Sequence, residues 1–493
     1  MVKVKIIPIN KTIKVKSGKN LGSLLQEYGL ELPCGGYGTC GKCRVKISEG
    51  KSEITPADQK YIAENRLKKG WRLACQHQIK GDITVEVEQW EIDTTTIKKE
   101  TSHLEAEHYG IAIDAGTTTI AGRLIDLDSG NILRTEVAYN RQKKYGADIM
   151  TRISYGLENK TGNLRKALFD SLKIIIDRLT ANLNDNIVKI NIVGNTFIHH
   201  VFGGFELKPL VTIPYKASSL DEINLDTRAL KWEVSGNPIV TFLPNLGGYV
   251  GSDILAGILS TTIHQKAELS LLLDIGTNGE IVLGNREKLY FTSTAAGPAF
   301  EGGKIRMGMR ADRGAILHTS CQDNKIIAQV KDDVAPKGIC GSGLLDAIAC
   351  GLMLGKIDYS GRIMSDKTYL SVKKPVKIYQ QDIRELQLAK GAIAAGIEIL
   401  LRKAEISLED LDRFYLAGAF GNYMKVESAN RIGLIKMDKE RVESNGNTAL
   451  KGAVLSLLGE NYHQILNITE KINLKTVKDF QRLYVDNMNF PKK

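Results

Sequence analysis

Two segments of this 493-residue chain resemble each other, and this internal repeat constrains the fold more than any other feature. The first, YGIAIDAGTTTIAGRLIDLDSGNIL, begins a strand at Gly110, and the second, LSLLLDIGTNGEIVLGNREKLYF, begins one at Leu269. In each, an apolar strand ends in Asp-x-Gly-Thr, and a second strand, a turn with glycine and charge, and a third strand follow. Such a duplication predicts two similar lobes that face each other. Strands and helices interleave along the chain, so the fold class is α/β.

Each repeat places a carboxylate at the end of a strand, followed by a tight turn. Backbone N–H groups and threonine hydroxyls in such turns can hold phosphate oxygens, and the carboxylates can hold hydrated Mg²⁺ or orient an attacking water. One Asp-x-Gly alone would be weak, because it also marks ordinary turns, but two copies on duplicated lobes strengthen the interpretation. We therefore predict catalytic roles for Asp114, Asp274 and Glu280. The predicted phosphate-binding residues are Gly116, Thr117, Thr118 and Thr119 in the first turn, and Gly276, Thr277, Asn278 and Gly279 in the second.

A later apolar strand, FYLAGAFGNY (414–423), ends in the small residues Gly418, Ala419 and Gly421. Small side chains would allow the close approach of an adenosine ring, although a plain strand-to-helix turn would have the same pattern. Between these motifs the pattern predicts an amphipathic helix over 164–179, a strand-turn-helix around VGNTFIHH, and a helix over 382–400. In the last of these, Asp382 and Glu385 form a capping-box pattern at the N-terminus.

The N-terminal part of the chain carries a run of cysteines and glycines, CGGYGTCGKC, that contains Cys34, Cys40 and Cys43, and Cys75 follows. Three thiolates on one short loop and a fourth from further along are the ligand set of a 2Fe–2S cluster. The spacing between Cys34 and Cys40 is one residue longer than the corresponding spacing in plant-type ferredoxins. It resembles that of the vertebrate and bacterial ferredoxins with the pattern C-x5-C-x2-C. The alternative is a structural zinc site, which usually shows paired CxxC or Cys/His units, whereas only one such unit occurs here.

The remaining cysteines, Cys321, Cys340 and Cys350, show no ligand spacing and are predicted to be small core side chains. Cys340 lies in the glycine loop GICGSG, so a reactive role near the nucleotide stays open.

Alternating residues predict short strands at 2–8, 12–16, 44–48 and 83–88, with a turn at Asn10 and Lys11 and a helix that places Leu21 and Tyr28 on one face. This order is typical of a small β-grasp domain. The predicted division of the chain is a 2Fe–2S ferredoxin-like domain at 1–90, a polar linker at 91–108, a first ATPase lobe at 109–265 and a second at 266–493.

Composition limits the location and the partners. No stretch approaches the roughly 18 uncharged apolar residues of a membrane span, and the N-terminus alternates apolar and basic residues instead of forming a signal peptide, so we expect a cytoplasmic protein without a membrane partner. The net charge of +11 favours docking to an acidic protein, or simply reflects solvated lysines. Nucleic-acid binding is not expected, because the lysines are scattered without a basic run interleaved with aromatics.

The order of phosphate-1, phosphate-2 and adenosine motifs resembles the superfamily of actin, sugar kinases and large heat-shock chaperones, whose core is a duplicated ribonuclease-H-like fold. The finer resemblance is to the reductive activators of corrinoid proteins, which are ATP-dependent and carry an N-terminal 2Fe–2S domain. The blocks that carry it are CGGYGTCGKCRV, AIDAGTTTIAG, YGADIMTRI, VGNTFIHH, GGYVGSDILAG, LLDIGTNGEIVLG, TAAGPAFEGG, GICGSGLLD, QLAKGAIAAG and FYLAGAFGNY.

This resemblance implies that Cys34, Cys40, Cys43 and Cys75 hold the cluster, that both phosphate turns bind ATP with Mg²⁺, and that Asn195 lies by the cleft. It also implies a partner, a corrinoid protein of a methyltransferase system, and a low-potential electron donor that the sequence does not identify. The chain departs from the pattern of this family at two points. Only a linker separates the cluster domain from the first phosphate motif, so a middle domain that helps some members dimerise is expected to be missing. Arg141 stands where relatives often carry proline.

The function implied is ATP-dependent transfer of one electron to a corrinoid protein, which restores Co(I) from inactive Co(II). One alternative is a small-molecule kinase with an accessory ferredoxin domain, and another is a ferredoxin-type carrier whose nucleotide lobes only regulate docking. His199 and His200 are not assigned as ligands, because adjacent helical residues point about 100° apart and at least one should be a packed or surface residue.

Overall fold

The structure is a computed structural model that describes residues 1–7, 11–26, 30, 36, 38, 43–63, 67, 70–87, 108–146, 148–183, 186–213, 215–364, 368–421 and 423–492, with positions 11, 26, 159 and 419 described by their backbone only. In this part of the chain no helix has both the length and the apolar character needed to cross a membrane.

The N-terminal domain is a mixed sheet with two short helices. Its strands are β1 (Val2–Ile7), β2 (Lys11–Val15), β3 (Arg44–Glu49), β4 (Trp71–Leu73) and β5 (Ile83–Val87), and its helices are α1 (Leu21–Gln26) and α2 (Pro56–Ala63). Among the described residues the sheet order is β2-β1-β5-β3-β4, with β1 and β5 parallel. Alternate residues such as Val4 and Ile6 are fully buried, because one face of the sheet covers the core.

The predicted strands of this domain are confirmed to within about one residue at each end. The sequence patterns did not predict α2 or β4. Asn10 at the expected turn, Tyr28 at the end of the expected helix, and 91–107 of the expected linker lie outside the described residues.

The first lobe is built on a six-stranded sheet in the order β10-β11-β9-β6-β7-β8. Its strands are β6 (Tyr109–Ala115), β7 (Thr119–Asp126), β8 (Ile132–Tyr139), β9 (Ile187–Gly194), β10 (Ile223–Asp226) and β11 (Ile239–Phe242). Its helices are α3 (Ile149–Tyr155), α4 (Thr161–Leu179), α5 (Thr196–Gly203), α6 (Lys208–Val211) and α7 (Ser252–Thr261). The predicted amphipathic helix is confirmed as α4, whose apolar face is buried against the sheet.

The second lobe repeats this plan, with a six-stranded sheet in the order β21-β20-β12-β13-β14-β22. The sheet contains β12 (Ser270–Ile275), β13 (Gly279–Gly284), β14 (Leu289–Thr294), β20 (Arg413–Ala417), β21 (Val442–Gly446) and β22 (Thr469–Lys471). Beside it lie β15 (Ala315–Gln322), β16 (Lys325–Val330), β17 (Gly338–Ile339), β18 (Tyr369–Lys373) and β19 (Val376–Tyr379). The helices are α8 (Gly341–Met353), α9 (Gln380–Lys403), α10 (Gly418–Gly421), α11 (Val426–Ile432), α12 (Thr448–Leu457), α13 (His463–Ile468) and α14 (Phe480–Asp486).

The two sheets confirm the predicted duplication. In each, three consecutive antiparallel strands, β6-β7-β8 or β12-β13-β14, are extended by two strands parallel to the first, β9 and β11 or β20 and β21. The fold class predicted from the repeat is therefore correct.

Helices α7 and α12 join the lobes. They approach so closely that a Cβ on Gly452 would lie 1.9 Å from the Ala256 carbonyl oxygen. Helix α12 follows β21 of the second sheet in sequence, yet it packs on the first sheet, where Ala453 contributes to the same core as Ala112. Helix α7 in turn packs against Leu272 of the second sheet. A change in the angle between the lobes must therefore move this helix pair.

Helix α9 corrects one prediction. It begins at Gln380, so Asp382 occupies the third helical position and forms a capping box with Tyr379, the N-cap residue. Its carboxylate accepts hydrogen bonds from the backbone N–H groups of Tyr379, at 2.8 Å, and of Arg306, at 2.7 Å. The predicted pair of Asp382 and Glu385 is therefore wrong, because Asp382 is the N3 acid of a capping box with Tyr379 and not the N-cap residue, and it also accepts from a distant loop.

Candidate nucleotide cleft and iron–sulfur site

The first phosphate turn lies between β6 and β7 and is held by two asparagines. Asn140 donates from Nδ2 to the Gly116 carbonyl oxygen at 3.0 Å. Asn195 caps α5 by accepting from the Ile198 N–H, and its Nδ2 donates to Thr117 Oγ1 at 3.0 Å. The structure therefore brings Asn195 to the turn, as expected. Thr118 completes the turn, and Thr119 begins β7.

The second phosphate turn lies between β12 and β13. The Gly276 N–H donates to the Asn278 carbonyl oxygen at 2.9 Å, which closes the turn, and Gly279 begins β13. Glu280 lies opposite Asp274 in the antiparallel register and accepts a hydrogen bond from Ser293 Oγ at 3.1 Å. Both turns therefore follow the last residues of the first strand of a sheet, as the repeat predicts.

Four partly buried carboxyl groups meet between the lobes. Burial raises the pKa of Asp114 to about 6. Burial and the charge of Asp114 raise the pKa of Asp274 to about 7. The pKa of Asp253 is raised to about 7 by burial and by the charges of Asp274 and Asp114. Burial, Asp253 and Asp274 raise the pKa of Glu280 well above its usual value. The two phosphate turns therefore face each other across one acidic cleft.

This donor set fits a hydrated divalent cation bound with phosphates. Among the described residues no three His, Cys, Asp or Glu side chains are gathered closely enough to ligate a metal ion by themselves. Mg²⁺ usually keeps several waters and takes only one or two carboxylates together with phosphate oxygens, so a cleft of separated carboxyl groups suits it. A cation there would also relieve the mutual repulsion that, after burial, raises the pKa of Asp253, Asp274 and Glu280.

Sequence reasoning missed three residues of the cleft. Asp253 is in the first turn of α7, within the segment GGYVGSDILAG, for which the sequence predicts no catalytic or binding residue. Asn447 caps α12, and its Nδ2 donates to Asp114 Oδ2 at 2.7 Å. Glu301 Oε1 accepts from Thr277 Oγ1 at 3.0 Å. An aspartate directly after a glycine-rich loop could have indicated Asp253, whereas no local signal marks Asn447.

The predicted adenosine turn is adjacent to the second phosphate turn. Strand β20 ends at Ala417, and Gly418 adopts φ +81° at the start of α10, which runs to Gly421 and includes Ala419. A Cβ on Gly418 would lie 2.6 Å from Asp274 Oδ1. Glycine is therefore required here for both its backbone conformation and its size. Gly421 is further from the acids and packs against Leu416 of the strand.

The described part of the iron–sulfur site is a buried pair of thiols. Cys43 Sγ lies 3.2 Å from Cys75 Sγ, too far for a disulfide bond of about 2.05 Å. Asn20 donates from Nδ2 to the Cys75 carbonyl oxygen at 2.9 Å, and a Cβ on Gly22 would lie 2.6 Å from Cys75 Cα, so α1 holds this segment closely. Two converging, buried thiols fit a cluster of iron and sulfide. Cys34 and Cys40 lie outside the described residues.

Other candidate side chains have structural roles. His199 donates from Nε2 to the Asp221 carbonyl oxygen and His200 from Nδ1 to the Thr196 carbonyl oxygen, each at 2.8 Å, and both rings are buried. The expectation that at least one histidine is packed is thus confirmed.

The other cysteines also belong to the interior of the second lobe. Cys340 and Cys350 are buried, as predicted, and Cys321 is partly buried. Burial raises the pKa of the Cys350 thiol to about 12, which disfavours a reactive thiolate.

Family models match almost the whole chain. The model described as a 2Fe-2S iron-sulfur cluster binding domain matches residues 4–80, the RACo middle region matches 109–266, and the C-terminal domain of RACo, the ASKHA domain, matches 268–493. The fold and the cleft define a two-lobed domain of the actin and sugar-kinase class, joined to a 2Fe–2S ferredoxin domain.

Similar proteins narrow this class. The chain is 35% identical over 418 residues to the corrinoid activation enzyme RamQ of Eubacterium limosum, with 78% of this chain and 70% of that protein covered. It is 26% identical to a [Co(II) methylated amine-specific corrinoid protein] reductase of Methanosarcina barkeri, with 78% and 77% covered. A solved reductive activator for corrinoid, iron-sulfur protein matches with a TM-score of 0.69 and 28% identity, over 100% of this chain and 98% of that one. The chain belongs to the family of reductive activators of corrinoid proteins.

The RACo middle region begins at residue 109, at the strand that carries the first phosphate motif. The absence of an extra domain between the cluster domain and this motif stays a prediction.

Proposed function

We propose that this protein is an ATP-hydrolysing reductive activator that delivers one electron to a corrinoid protein and so restores Co(I) from inactive Co(II). The observation that carries the proposal is the presence in one chain of a buried thiol pair, Cys43 and Cys75, and an acidic cleft between two duplicated lobes. A one-electron centre has no use in phosphoryl transfer to a small molecule, and an ATPase has no use in passive electron transfer.

The thiolates of Cys34, Cys40, Cys43 and Cys75 would hold the 2Fe–2S cluster. When bound, such a cluster supplies one electron at a time, at potentials near about −400 mV in plant-type ferredoxins. Reduction of corrinoid cobalt to Co(I) lies uphill of this in the family that the chain belongs to. For one electron every 59 mV corresponds to about 1.4 kcal/mol, so the hydrolysis of ATP is a sufficient source of free energy.

In the cleft, each group has a role that follows from its position. Asp114 and Asp274 end the first strand of each sheet and would hold the water ligands of Mg²⁺. The Thr117 hydroxyl, which accepts from Asn195, and the backbone N–H groups of both turns would donate to phosphate oxygens, whereas the Thr277 hydroxyl donates to Glu301. Glu280, whose raised pKa makes it a better proton acceptor than an ordinary carboxylate, would orient the attacking water.

Asp253 and Asn447 would transmit lobe closure. Asp253 is at the N-terminal end of α7, and Asn447 at that of α12, and these helices are the pair that joins the lobes. Because Asn447 donates to Asp114, a change in the cation site moves the start of α12 directly. Hydrolysis can thereby be linked to the angle between the lobes, which is the coupling that uphill electron transfer requires.

To test the proposal, the protein is mixed with a purified corrinoid protein in the Co(II) state. Reduction to Co(I) is followed by the cobalt spectrum, and ATP hydrolysis is followed by the release of phosphate. The dithionite-reduced protein should produce Co(I) only with ATP and Mg²⁺, and the corrinoid protein should stimulate hydrolysis. Iron and sulfide analysis should give two of each per chain. If the protein instead contains stoichiometric zinc and has no visible absorption, the cysteines form a structural zinc site and the proposed cluster is wrong.

Two variants separate the activities. Cys43→Ala should abolish cobalt reduction but keep nucleotide binding, and Asp274→Ala should keep a reducible cluster but abolish hydrolysis and cobalt reduction. Equal cobalt reduction without nucleotide would contradict the proposal and favour a regulated electron carrier. Phosphorylation of a small molecule would favour the kinase. The electron donor and the cytoplasmic location stay predictions.

A further inference from the structure

We propose that a basic face on the second lobe docks an acidic surface of the corrinoid protein, and that the second phosphate turn is coupled to this face. The basic face is defined by Lys304, Arg306, Arg310, Arg313, Lys337 and Lys377. The inference rests on the proposed function and adds to it the surface that recognises the partner and its link to the nucleotide.

The core of the basic face is the connection between β14 and β15. Its residues 304–313 include four Lys or Arg and a single acid, Asp312, and three of the four basic residues are exposed. The fold brings two further lysines to it. The Lys337 N–H donates to the Gly314 carbonyl oxygen at 2.8 Å, and the Lys377 N–H contacts Met307 Sδ at 3.3 Å. The fold therefore brings Lys337 and Lys377, which are distant in sequence, beside residues 304–313.

Two tyrosines of the β18–β19 hairpin position cations of this face. The Arg306 guanidinium lies 4.3 Å from the centre of the Tyr379 ring, and Lys377 Nζ lies 4.0 Å from the centre of the Tyr369 ring. A cation over an aromatic face is attracted to it and restricted in orientation. The side chains therefore lose less conformational entropy when a partner binds.

The chain just before the basic face contacts the nucleotide turns. The Gly297 N–H donates to the Thr277 carbonyl oxygen at 2.8 Å, and Thr277 Oγ1 donates to Glu301 Oε1 at 3.0 Å. The Phe300 ring lies 4.8 Å from that of Phe420 in the adenosine turn. Residues 297–301 thus contact both the second phosphate turn and the adenosine turn.

This segment is connected to the basic face by close backbone packing. A Cβ on Gly302 would lie 2.7 Å from the Met309 carbonyl oxygen, and one on Gly308 would lie 2.1 Å from the Gly302 carbonyl oxygen. Such contacts leave little room for independent movement, so a shift at Thr277 must reach residues 304–309. By linkage, if nucleotide changes the affinity for the partner, the partner changes the affinity for nucleotide by the same factor.

Charge identifies the occupant as an acidic protein surface. The alternative within the chain, the ferredoxin domain, is itself basic, because residues 1–90 contain sixteen Lys or Arg and nine Asp or Glu. Two basic bodies in one chain repel each other and are both attracted to an acidic partner, which would bring the partner to the electron-transfer domain and the ATPase domain together.

The first experiment reverses charges on the basic face of the full chain with its cluster. Lys304→Glu with Arg306→Glu, and separately Lys337→Glu, should raise the KM for the corrinoid protein in ATP-dependent cobalt reduction by about tenfold at low salt, and less at high salt. Hydrolysis without partner and the cluster absorption should not change. Lys478→Glu, an exposed site before α14, is the matched control and should behave as wild type.

The outcomes separate docking from the proposed function. If the wild-type protein does not reduce the corrinoid protein, the proposed function fails. If it does, and the charge-reversed variants keep a wild-type KM, the docking proposal is overturned. Loss of binding to duplex DNA in these variants, together with an unchanged KM, would assign the face to nucleic acid instead.

The second experiment tests the coupling with Glu301→Ala. Partner affinity is measured by anisotropy of labelled corrinoid protein, with and without ATP analogue and Mg²⁺. In the wild type the nucleotide should change the dissociation constant by about tenfold, and in the variant by less than about twofold. A variant with the full nucleotide effect would overturn the coupling.

Discussion

Replacing Asp274 by asparagine should make the protein more stable at neutral to alkaline pH while it removes nucleotide-dependent stabilisation. The Asp274 carboxyl is partly buried and close to Asp114, which together raise its pKa to about 7. A carboxyl whose pKa is raised by folding destabilises the folded state when it ionises. The destabilisation is absent below about pH 4, where the group is protonated in both states, and grows until the pH passes the folded-state pKa.

The size of the expected gain in the free energy of unfolding follows from the pKa shift of Asp274. An unperturbed aspartate titrates near about 3.9, so a shift of roughly 3 units at about 1.4 kcal/mol per unit sets an upper limit near 4 kcal/mol. Because Asp274 keeps some contact with water and titrates together with its acidic neighbours, we expect about 1–2 kcal/mol, which corresponds to a rise in Tm of a few degrees. Asparagine has nearly the same shape, so little packing is lost.

Thermal unfolding is measured at about pH 5 and about pH 8, with and without ATP and Mg²⁺. The variant should gain more stability over wild type at the higher pH than at the lower one, and ATP with Mg²⁺ should raise the Tm of wild type but not of the variant. The control variant Asp486→Asn, at an exposed position in α14, should change neither the stability at the two pH values nor the effect of ATP with Mg²⁺ on the Tm. A variant that is destabilised equally at both pH values would show that Asp274 is not held under repulsion in the cleft.

Three further predictions test other parts of the structure. Gly418→Ala should abolish nucleotide-dependent stabilisation with the cluster absorption intact, because its Cβ would meet Asp274, whereas Gly459→Ala, at another positive φ with open space around it, should not. Asp58→Asn should lower the stability of the N-terminal domain by about 2 kcal/mol at neutral pH, measured by denaturant bleaching of the cluster. Burial alone would raise the pKa of Asp58, but the hydrogen bond from His77 lowers it to about 2. This stabilisation is therefore present above about pH 4 and is lost as the pH falls towards about 2. Chelation of divalent cations should remove the effect of ATP on Tm, and Mg²⁺ should restore it.

Local motifs were predicted well because their structure depends on neighbouring residues. The strand ending in Asp-x-Gly-Thr, the glycine at the start of α10 and the helical period of α4 are each set within about 20 residues. The Cys34-to-Cys43 spacing likewise indicated a cluster, and the structure brings Cys75 to Cys43 from 32 residues away.

The Asp382 error shows where such reasoning fails. An aspartate near a helix start can be the N-cap residue or the N3 acid of a capping box, and here the helix begins at Gln380, so Asp382 is the N3 acid and accepts from Tyr379 as well as from Arg306, 76 residues away. The sequence contains the acceptor but not the donor that will reach it.

The sequence by itself determined the duplicated lobes and the two turns that follow their first strands, because repeat and turn chemistry are local properties, whereas the cysteine ligand set stays a prediction from spacing. Only the tertiary structure decided that Asn447 would reach Asp114 across 333 positions, that Asp253 would join the acidic cleft, and that α12 would cover the first sheet. The physical reason is that an apolar period specifies which face of a helix is buried, but not which sheet buries it. That choice depends on how all the apolar faces and polar groups of the chain can be satisfied together.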